Sequence, residues 1–551
     1  MAPVTESLPP LICALLADPA CYDHPAEKIT LVETHISWVL LTGRYAYKIK
    51  KPVNPGFLDF STLALRHQDC LEELRLNKRL AADIYLAVVA ITGSVDAPRI
   101  NDSPLPNPPP FRGEGANESL REIDEILEYA VKMRQFLSDA TLDKLAERGE
   151  LGNGQIDALA ARLAQFHLFE CERAAADTPW GEPELIAHPV EENFELLQTR
   201  LEDSQGIRAL AALQRWCRDE HARLSPLMRE RKQHGWVREC HGDLHLANLA
   251  WADGRLVIFD CLEFSPALRW IDVISEVAFC YMDLLQRNLA ALAARFLNTW
   301  LAITGDYQGV ALLRYYAVYR ALVRAKVAAL RAEQGCLLSR AEMNECLQLA
   351  EQLALTTPHS LLSRNNLGCS PLVVRGMPLR HPPSLFITHG LSGSGKTTLS
   401  QLWLEKYGLI RLRSDVERKR LAGLDALARC GADQGLYSQL ASRRTYEHLL
   451  HLTDGLLQAG WSVVVDAAFL ERGQRDLFRN LAQRLDVDFK ILDIQADADV
   501  LRERIRRRQA GGRDASEADL CVLAQQLAAF VPLDEAEREA VVCFTAEDDK
   551  L

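Results

Sequence analysis

Leu385-Phe386-Ile387-Thr388-His389-Gly390-Leu391-Ser392-Gly393-Ser394-Gly395-Lys396-Thr397-Thr398 decides the reading of the C-terminal part of the chain. Leu385 to Thr388 is an apolar, strand-like run, and Thr398 to Tyr407 reads as a helix. Between them, Gly390 to Thr397 fits G-x-x-x-x-G-K-[ST] without a mismatch, in the strand–loop–helix context the motif needs. Glycines let the backbone curl until its N–H groups converge on a phosphate at the positive end of a helix. Gly390, Gly393, Ser394, Gly395 and Thr398 therefore belong to a nucleotide cradle. Lys396 reaches for the β- and γ-phosphates, and Thr397 is a ligand for Mg2+.

Downstream, strands and helices alternate to the end of the chain, the pattern of a parallel α/β sheet. Trp461 to Asp466 is an apolar run ending in an acid, where a second metal-side carboxylate is needed. Leu409 to Arg413 reads as another strand, followed by Ser414, Asp415, Arg418 and Lys419. Ligands of open α/β sheets sit outside the carboxyl ends of strands, so Asp415 is placed to take the proton of an acceptor hydroxyl. For both acids a helix N-cap is the structural rival. The basic stretch Arg502 to Arg508 ends at Gly511-Gly512, and Arg508 is its candidate for closing over phosphates.

A second constellation lies upstream. His241-Gly242-Asp243 is followed by Asn248, an apolar run, Asp253-Gly254, another apolar run and Asp260. Asp-Gly between two short apolar runs signals a hairpin, which returns Asp260 beside Asn248. Asp243 then takes the acceptor proton, while Asn248 and Asp260 offer hard oxygens to Mg2+. Farther upstream, Leu31 to Leu41 and Arg44 to Ile49 read as a strand pair joined through Thr42-Gly43. Ala46-Tyr47-Lys48 resembles the end of V-A-I-K, making Lys48 the candidate phosphate contact, with Lys50 on the same face as the alternative. A helix from about Leu63 to Leu80 carries Glu72 and Glu73, of which Glu73 is preferred as the lysine's partner. No G-x-G-x-x-G loop is present. Glu33 to Ser37 occupies the corresponding hairpin, where hydroxyls and backbone N–H groups would cover phosphates instead. Arg314, Arg320, Arg324, Lys326 and Arg331 form a basic helix that reads as a solvated or salt-bridged face rather than as an acceptor site.

The chain has 551 residues, which at roughly 150 per domain gives about three to four domain-sized units. With 48% hydrophobic and 25% charged residues it is neither disordered, collagen-like nor membrane-spanning. A net charge of −12 disfavours non-specific binding to nucleic acid or anionic membrane. Its 14 cysteines form no C-x-x-C pair and read as reduced, buried thiols of a cytoplasmic protein. The apolar stretch Leu11 to Ala17 follows Glu6 and lacks a basic flank, so it does not read as a signal peptide. Prolines from about residue 98 to 117 mark an exposed loop, flanked by strand-like runs Ile84 to Ile91 and Ile123 to Tyr129. A second Pro/Asn/Gly-rich stretch, residues 357–383, is the expected linker. Residues 1–356 (N-lobe about 28–130, C-lobe about 131–356) and 384–551 are the expected domains. Residues 118–236 and 266–355 read as mostly helical.

These motifs carry two resemblances. Residues 28–350 resemble the aminoglycoside phosphotransferase-like branch of the protein-kinase-like fold. Residues 384–551 resemble P-loop kinases related to zeta toxins and polynucleotide kinases, with the Walker A run, Ser414-Asp415 with Arg418, the Asp466 strand and an arginine-bearing lid in order. The whole order resembles bacterial bifunctional proteins that fuse the two, as do Thr34-His35-Ile36-Ser37, Tyr47 to Pro52 and Phe57-Leu58-Asp59-Phe60. The resemblance implies a bilobal kinase-like domain followed by a P-loop NTPase sheet. It further implies ATP with Mg2+ at two sites and phosphoryl transfer to a hydroxyl of a small molecule. A nucleotide-responsive regulatory or toxin–antitoxin-like protein and a polynucleotide 5′-hydroxyl kinase are the competing expectations.

Overall fold

The computed structural model describes residues 8–26, 28–54, 56, 58–101, 126–333, 337–355, 383–426, 438–511 and 518–542. The Pro-rich loop beyond Asn101 and the expected linker, apart from Pro383, lie outside the described residues. Two compact units emerge: Met1–Leu151 with Glu170–Gly181 and Gly235–Ile271, and Gly152–Phe169 with Glu182–His234 and Asp272–Leu551.

The first unit is layered by the alternation of Tyr45–Lys50. Its strands are β1 (Thr30–Glu33), β2 (Ser37–Leu41), β3 (Tyr45–Lys50), β4 (Tyr85–Ser94), β5 (Ala97–Asn101) and β6 (Ile126–Arg134). They form one antiparallel sheet in the order β1-β2-β3-β6-β4-β5. Successive side chains of a strand point to opposite faces. Tyr47 and Ile49 enter a core with Trp38, Leu40 and Ile91, and Ile12 and Leu15 of the helix Pro10–Ala17 join it. The short apolar stretch near the N-terminus is thus a cover for the sheet. Lys48 and Lys50 alternate with these residues and meet the helix Leu63–Ala81, whose buried residues include Cys70, Glu73 and Asn77. Thr62 caps that helix by accepting from the Leu65 N–H.

The run Leu31 to Leu41 folds back on itself. Thr34 N–H donates to Ser37 O at 2.9 Å and Thr34 Oγ1 accepts from Ser37 N–H at 2.9 Å. These hydroxyls hold their own turn. β6 interrupts the stretch 118–236, otherwise helical over most of its described length, at the strand-like run noted in the sequence. The short strands β7 (Val237–Glu239) and β10 (Trp270–Asp272) pair, as do β8 (Leu249–Ala252) and β9 (Arg255–Ile258). Asp253 and Gly254 adopt φ of +53° and +74°, the left-handed pair that a two-residue hairpin turn requires.

The second unit combines helices with a four-stranded parallel sheet of β11 (Ser384–His389), β12 (Ile410–Arg413), β13 (Val463–Asp466) and β14 (Asp488–Asp493), ordered β12-β13-β11-β14. This is a P-loop NTPase-like sheet flanked by helices. Ala294 of the helix Ala290–Thr304 shares a core with Trp403, Leu404, Leu409 and Val464. Asn298 Nδ2 donates to Leu409 O at 2.8 Å and its Oδ1 accepts from Arg411 N–H at 2.7 Å, closing the open edge of β12. Deeper in the helices, Arg231 is buried between Asp272 and Asp306. The basic helix Val310–Glu333 is salt-bridged or packed. Arg320 lies buried against Ser275 and Phe279, and Arg324 pairs with Glu342 at 3.0 Å. Among the described residues no helix is long and apolar enough to cross a membrane.

Candidate active sites

In the first unit, three segments converge on one cluster. Lys48 Nζ lies 2.9 Å from Glu73 Oε1 and 2.6 Å from Asp260 Oδ1. Lys50 Nζ lies 2.5 Å from Glu73 Oε2 and 3.0 Å from Asp69, and also pairs with Glu263. Glu73 therefore bridges both lysines, whereas Glu72 turns to Arg75 and Arg269. Burial alone would push the Lys48 ammonium down, but Asp260 and Glu73 outweigh it and hold it well above the ordinary lysine range. Burial likewise opposes ionisation of Glu73, yet the two lysines win and lower its carboxyl. Burial raises the Glu263 carboxyl, since Lys50 offsets it only in part and Glu73 adds repulsion. Two lysines face four carboxyl groups here, so Glu263 is where the excess negative charge is relieved.

The Asp243 loop is fixed by its own backbone. His241 Nε2 donates to Phe259 O at 2.8 Å, and its Nδ1 accepts from Asp243 N–H at 3.2 Å, which selects the neutral Nε2–H tautomer. Asn248 Nδ2 donates to Asp243 Oδ2 at 3.0 Å and to Asp243 O at 2.9 Å. That leaves Asn248 Oδ1 as the acceptor end of the amide. Phe259 N–H donates to Asn248 O, which places Asp260 beside Asn248. Asp260 itself has φ +63°, and its N–H donates to Tyr85 Oη at 3.1 Å. An amide oxygen and a half-exposed carboxylate are the donor chemistry of a hard cation, so the set fits Mg2+.

In the second unit the Walker A loop leads into the helix Lys396–Tyr407. Gly390 has φ +148°, and a Cβ there would stand 2.4 Å from Ile494 O. Ser394 Oγ is buried without a hydrogen-bond partner among the described residues, an orphan that a phosphate oxygen would satisfy. Lys396 Nζ folds back onto Gly390 O at 3.0 Å and Leu391 O at 2.8 Å. The loop thus fits a nucleotide phosphate. It opens into a cavity of about 1100 Å³ lined by Lys396, Thr397, Arg413, Asp415, Arg418 and Asp466, among others.

Asp415 lies in the first turn of the helix Ser414–Leu421 but does not cap it, since Arg413 holds the N-cap position. Asp466 ends β13 and accepts from Ser400 Oγ at 3.4 Å, and the N-cap position of the following helix is Glu471, not Asp466. Thr398 also lines the cavity. The side chain of Arg508 lies outside the described residues. Among the described residues of that helix, Arg504 reaches the P-loop, donating to Ser394 O at 3.0 Å and Gly393 O at 3.3 Å. Arg502 and Arg507 pair with Asp499 and Glu503 instead.

Sequence reasoning passed over three contributors. Asp69 and Glu263 complete the buried lysine cluster, and nothing short of the fold brings them together. Arg411 donates to Thr397 O at 3.2 Å. Its signal was the alternation Ile410-Arg411-Leu412-Arg413, which puts two arginines on one face of a strand. Burial, with Arg413 adding repulsion, pulls the Arg411 guanidinium down to about 10, still protonated at neutral pH.

Comparison with known proteins gives one family match to each part of the chain. Residues 65–313 match the phosphotransferase enzyme family, and residues 385–533 match the AAA domain family. The chain thus joins a phosphotransferase-like, kinase-like segment to an AAA-type P-loop NTPase segment. An uncharacterized protein of Mycobacterium tuberculosis is 28% identical over 525 residues, covering 93% of each chain. A choline/ethanolamine kinase family protein from Mesorhizobium loti aligns with a TM-score of 0.38 and 12% identity, over 63% of this chain and 94% of its own. A sugar kinase from a Janibacter species aligns with a TM-score of 0.22 and 20% identity, over 29% of this chain and 84% of its own.

Proposed function

We propose that the protein is an ATP-dependent phosphotransferase of the cytoplasm with two nucleotide sites, each passing a γ-phosphate to a hydroxyl of a small molecule. One observation carries the reading. The lysine, both acids and the Asp243–Asn248 loop meet in the first unit, while the second holds a Walker A loop facing a cavity larger than a nucleotide needs. In the first site Lys48 holds phosphates, Glu73 orients Lys48, and Asp243 accepts the acceptor proton. Asn248 and Asp260 would hold Mg2+. In the second site the Gly390–Thr398 loop binds phosphates, with Thr397 and Asp466 on the metal side. Asp415 takes the acceptor proton, and Arg504 or Arg508 closes over the transferred group. Mg2+, when bound, neutralises charge on the phosphates. The protein's own contribution is positioning and fixed charge, because phosphoryl transfer asks for little covalent help. The order of the P-loop motifs supports placing residues 384–551 with the zeta-toxin and polynucleotide-kinase-like branch, and the Lys48–Glu73–Asp260 cluster beside the Asp243–Asn248 loop supports reading residues 1–356 as one kinase-like domain.

A second reading draws on the Lys48–Asp260 ion pair. A phosphate–metal pair would have to separate these two groups, which suits a site that responds to nucleotide as much as one that turns it over. ADP release by Asp243→Asn, Lys396→Ala and the double variant tests the first reading. Loss of about 10²–10⁴-fold in the activity assigned to Asp243 is expected. Unchanged turnover in all three proteins would sink it, and loss confined to Lys396→Ala would favour the second reading.

A further inference from the structure

Arg411 stands behind the metal side of the P-loop site. Its Nη1 donates to Thr397 O at 3.2 Å and to Ser400 Oγ at 3.4 Å. Ser400 is fully buried on the same helix as Thr397. Its Oγ lies 3.1 Å from Thr397 O and 3.4 Å from Asp466 Oδ2. A hydroxyl has one proton to donate and two lone pairs with which to accept. Ser400 therefore serves Thr397 O or Asp466 at any moment, not both. Arg411 gives Thr397 O a donor and occupies a Ser400 lone pair, which leaves the Ser400 proton for the carboxylate. A charged acceptor also makes the stronger bond. Arg413 Nε approaches the same Oδ2 at 3.8 Å. Asp466 is thus held at one oxygen by protein groups, while Asp466 and Thr397 both line the cavity.

The support is charged and anchored. Burial, Arg413 and Arg295 oppose the charge of Arg411, while Asp466 and Tyr307 favour it, and the guanidinium stays protonated at neutral pH. Its main chain is fixed by Asn298, buried in the helix Ala290–Thr304. Asn298 Oδ1 accepts from Arg411 N–H at 2.7 Å, and its Nδ2 donates to Leu409 O at 2.8 Å and Ala294 O at 2.9 Å. That helix belongs to the phosphotransferase-like part of the chain.

We propose that Arg411 and Ser400 are positioning residues of the P-loop site, holding Thr397 and Asp466 ready for Mg2+, with Asn298 fixing Arg411 from the phosphotransferase-like part. The proposal rests on the reading of residues 390–398 as a nucleotide site. A hydroxyl and a carboxylate are hard oxygen donors, the chemistry that suits Mg2+. Partners that hold a metal ligand from behind govern metal affinity by about 10–100-fold. The bonds of Arg411 and Ser400 go to Thr397 O and Asp466 Oδ2, so their effect falls on the metal and only through it on the nucleotide.

The test uses the full chain carrying Lys48→Met, which weakens the first site. A non-hydrolysable ATP analogue (AMPPNP) is titrated calorimetrically with excess Mg2+ and again with EDTA. Arg411→Met is expected to cut the affinity gained from Mg2+ by about 10–100-fold, while affinity in EDTA changes far less. Ser400→Ala is expected to act in the same direction. The double variant should lose no more than Arg411→Met alone, because the two side chains form one chain of bonds. Arg411→Lys should restore part of the loss, and Asn298→Ala should reproduce part of it, with thermal unfolding checked for each. If Arg411→Met does not fold, Ser400→Ala decides. Equal losses with Mg2+ and with EDTA would make these residues supports of the fold alone and overturn the proposal. Unchanged affinity, or losses that add in the double variant, would overturn it as well. A full Mg2+ response in Asn298→Ala would overturn the role given to Asn298. AMPPNP binding that Lys396→Ala leaves unweakened would show instead that the nucleotide reading itself has failed, and the proposal with it.

Discussion

Lys48 Nζ sits 2.6 Å from Asp260 Oδ1, joining residues 212 positions apart in the chain. The same ammonium reaches Glu73 at 2.9 Å, so one cation is held between a buried acid and a half-exposed one. The buried acid fixes the lysine. The half-exposed acid is the one a nucleotide complex would take away from it.

Replacing Lys48 by Met keeps the volume of the stem and removes the charge. In a Lys396→Ala background, where the P-loop site is disabled, ADP release assigned to the first site is expected to fall by about 10²-fold or more. Calorimetry with the non-hydrolysable analogue is expected to show weaker binding at that site. Lys50→Met should leave Lys48 in place on Asp260 and disturb nucleotide affinity less. If the two variants lose affinity equally, the division of labour between the lysines is wrong.

Much of this arrangement was legible in the sequence, for a physical reason. Walker A and the Asp243–Asn248–Asp260 order are local motifs, in which spacing alone fixes geometry. The hairpin is written in Asp253-Gly254, because few residue pairs accept two positive φ angles. The alternation of Tyr47 and Ile49 with Lys48 and Lys50 reads directly as two faces of one strand. What stayed hidden depends on long-range packing. Glu263 becomes part of the cluster only when its segment comes against β3. Arg504 meets the P-loop, while Arg502 and Arg507 turn to Asp499 and Glu503, which only the placed helix shows. The N-terminal apolar stretch carried no period strong enough to show that it would cover a sheet.

Gly390→Ala tests the P-loop's backbone. The added Cβ would stand 2.4 Å from Ile494 O, and φ of +148° is one that alanine rarely adopts. Strain of this kind costs about 1–3 kcal/mol. The expected outcome is a lowered denaturant midpoint together with lost analogue binding at the P-loop site. Unchanged stability and binding would mean that the loop relaxes without cost.

Arg231→Met probes the buried triad of the helical part. Arg231 donates to Asp272 at 2.7 and 2.9 Å and to Asp306 at 2.6 and 2.7 Å, from a fully buried position. Burial raises the Asp306 carboxyl even with the guanidinium beside it. Removing the arginine leaves two buried acids facing each other, a loss of about 3–5 kcal/mol in the unfolding free energy. The companion variant Arg231→Met/Asp272→Asn/Asp306→Asn removes the stranded charge and should recover part of that loss. No recovery would mean that packing, not charge, accounts for it.

Glu263→Gln gives the cluster a pH signature. The Glu263 carboxyl is raised above its ordinary value of 4.5, chiefly by burial, so the folded chain binds its proton more tightly than the unfolded chain does. Such a group contributes stability that is fully present below the unfolded value and lost as pH rises through the folded one. Glu73, lowered by Lys48 and Lys50 against its burial, has the opposite sign and loses stability only as pH falls below the carboxylate range. Glutamine cannot ionise, so the upper loss disappears in the variant. Chemical denaturation at pH 5 and pH 8 is therefore expected to show Glu263→Gln gaining on the native chain at the higher pH. The gain should be at least about 1.4 kcal/mol, the equivalent of a tenfold difference in proton affinity. Lys50, which pairs with Glu263, works against this gain, because the variant also removes a partner from a buried ammonium. That loss is felt only where Glu263 is ionised, at the higher pH, and the net upward shift of the carboxyl already contains it. A variant less stable than the native chain by the same amount at both pH values would show that Glu263 stays ionised beside Lys50 throughout.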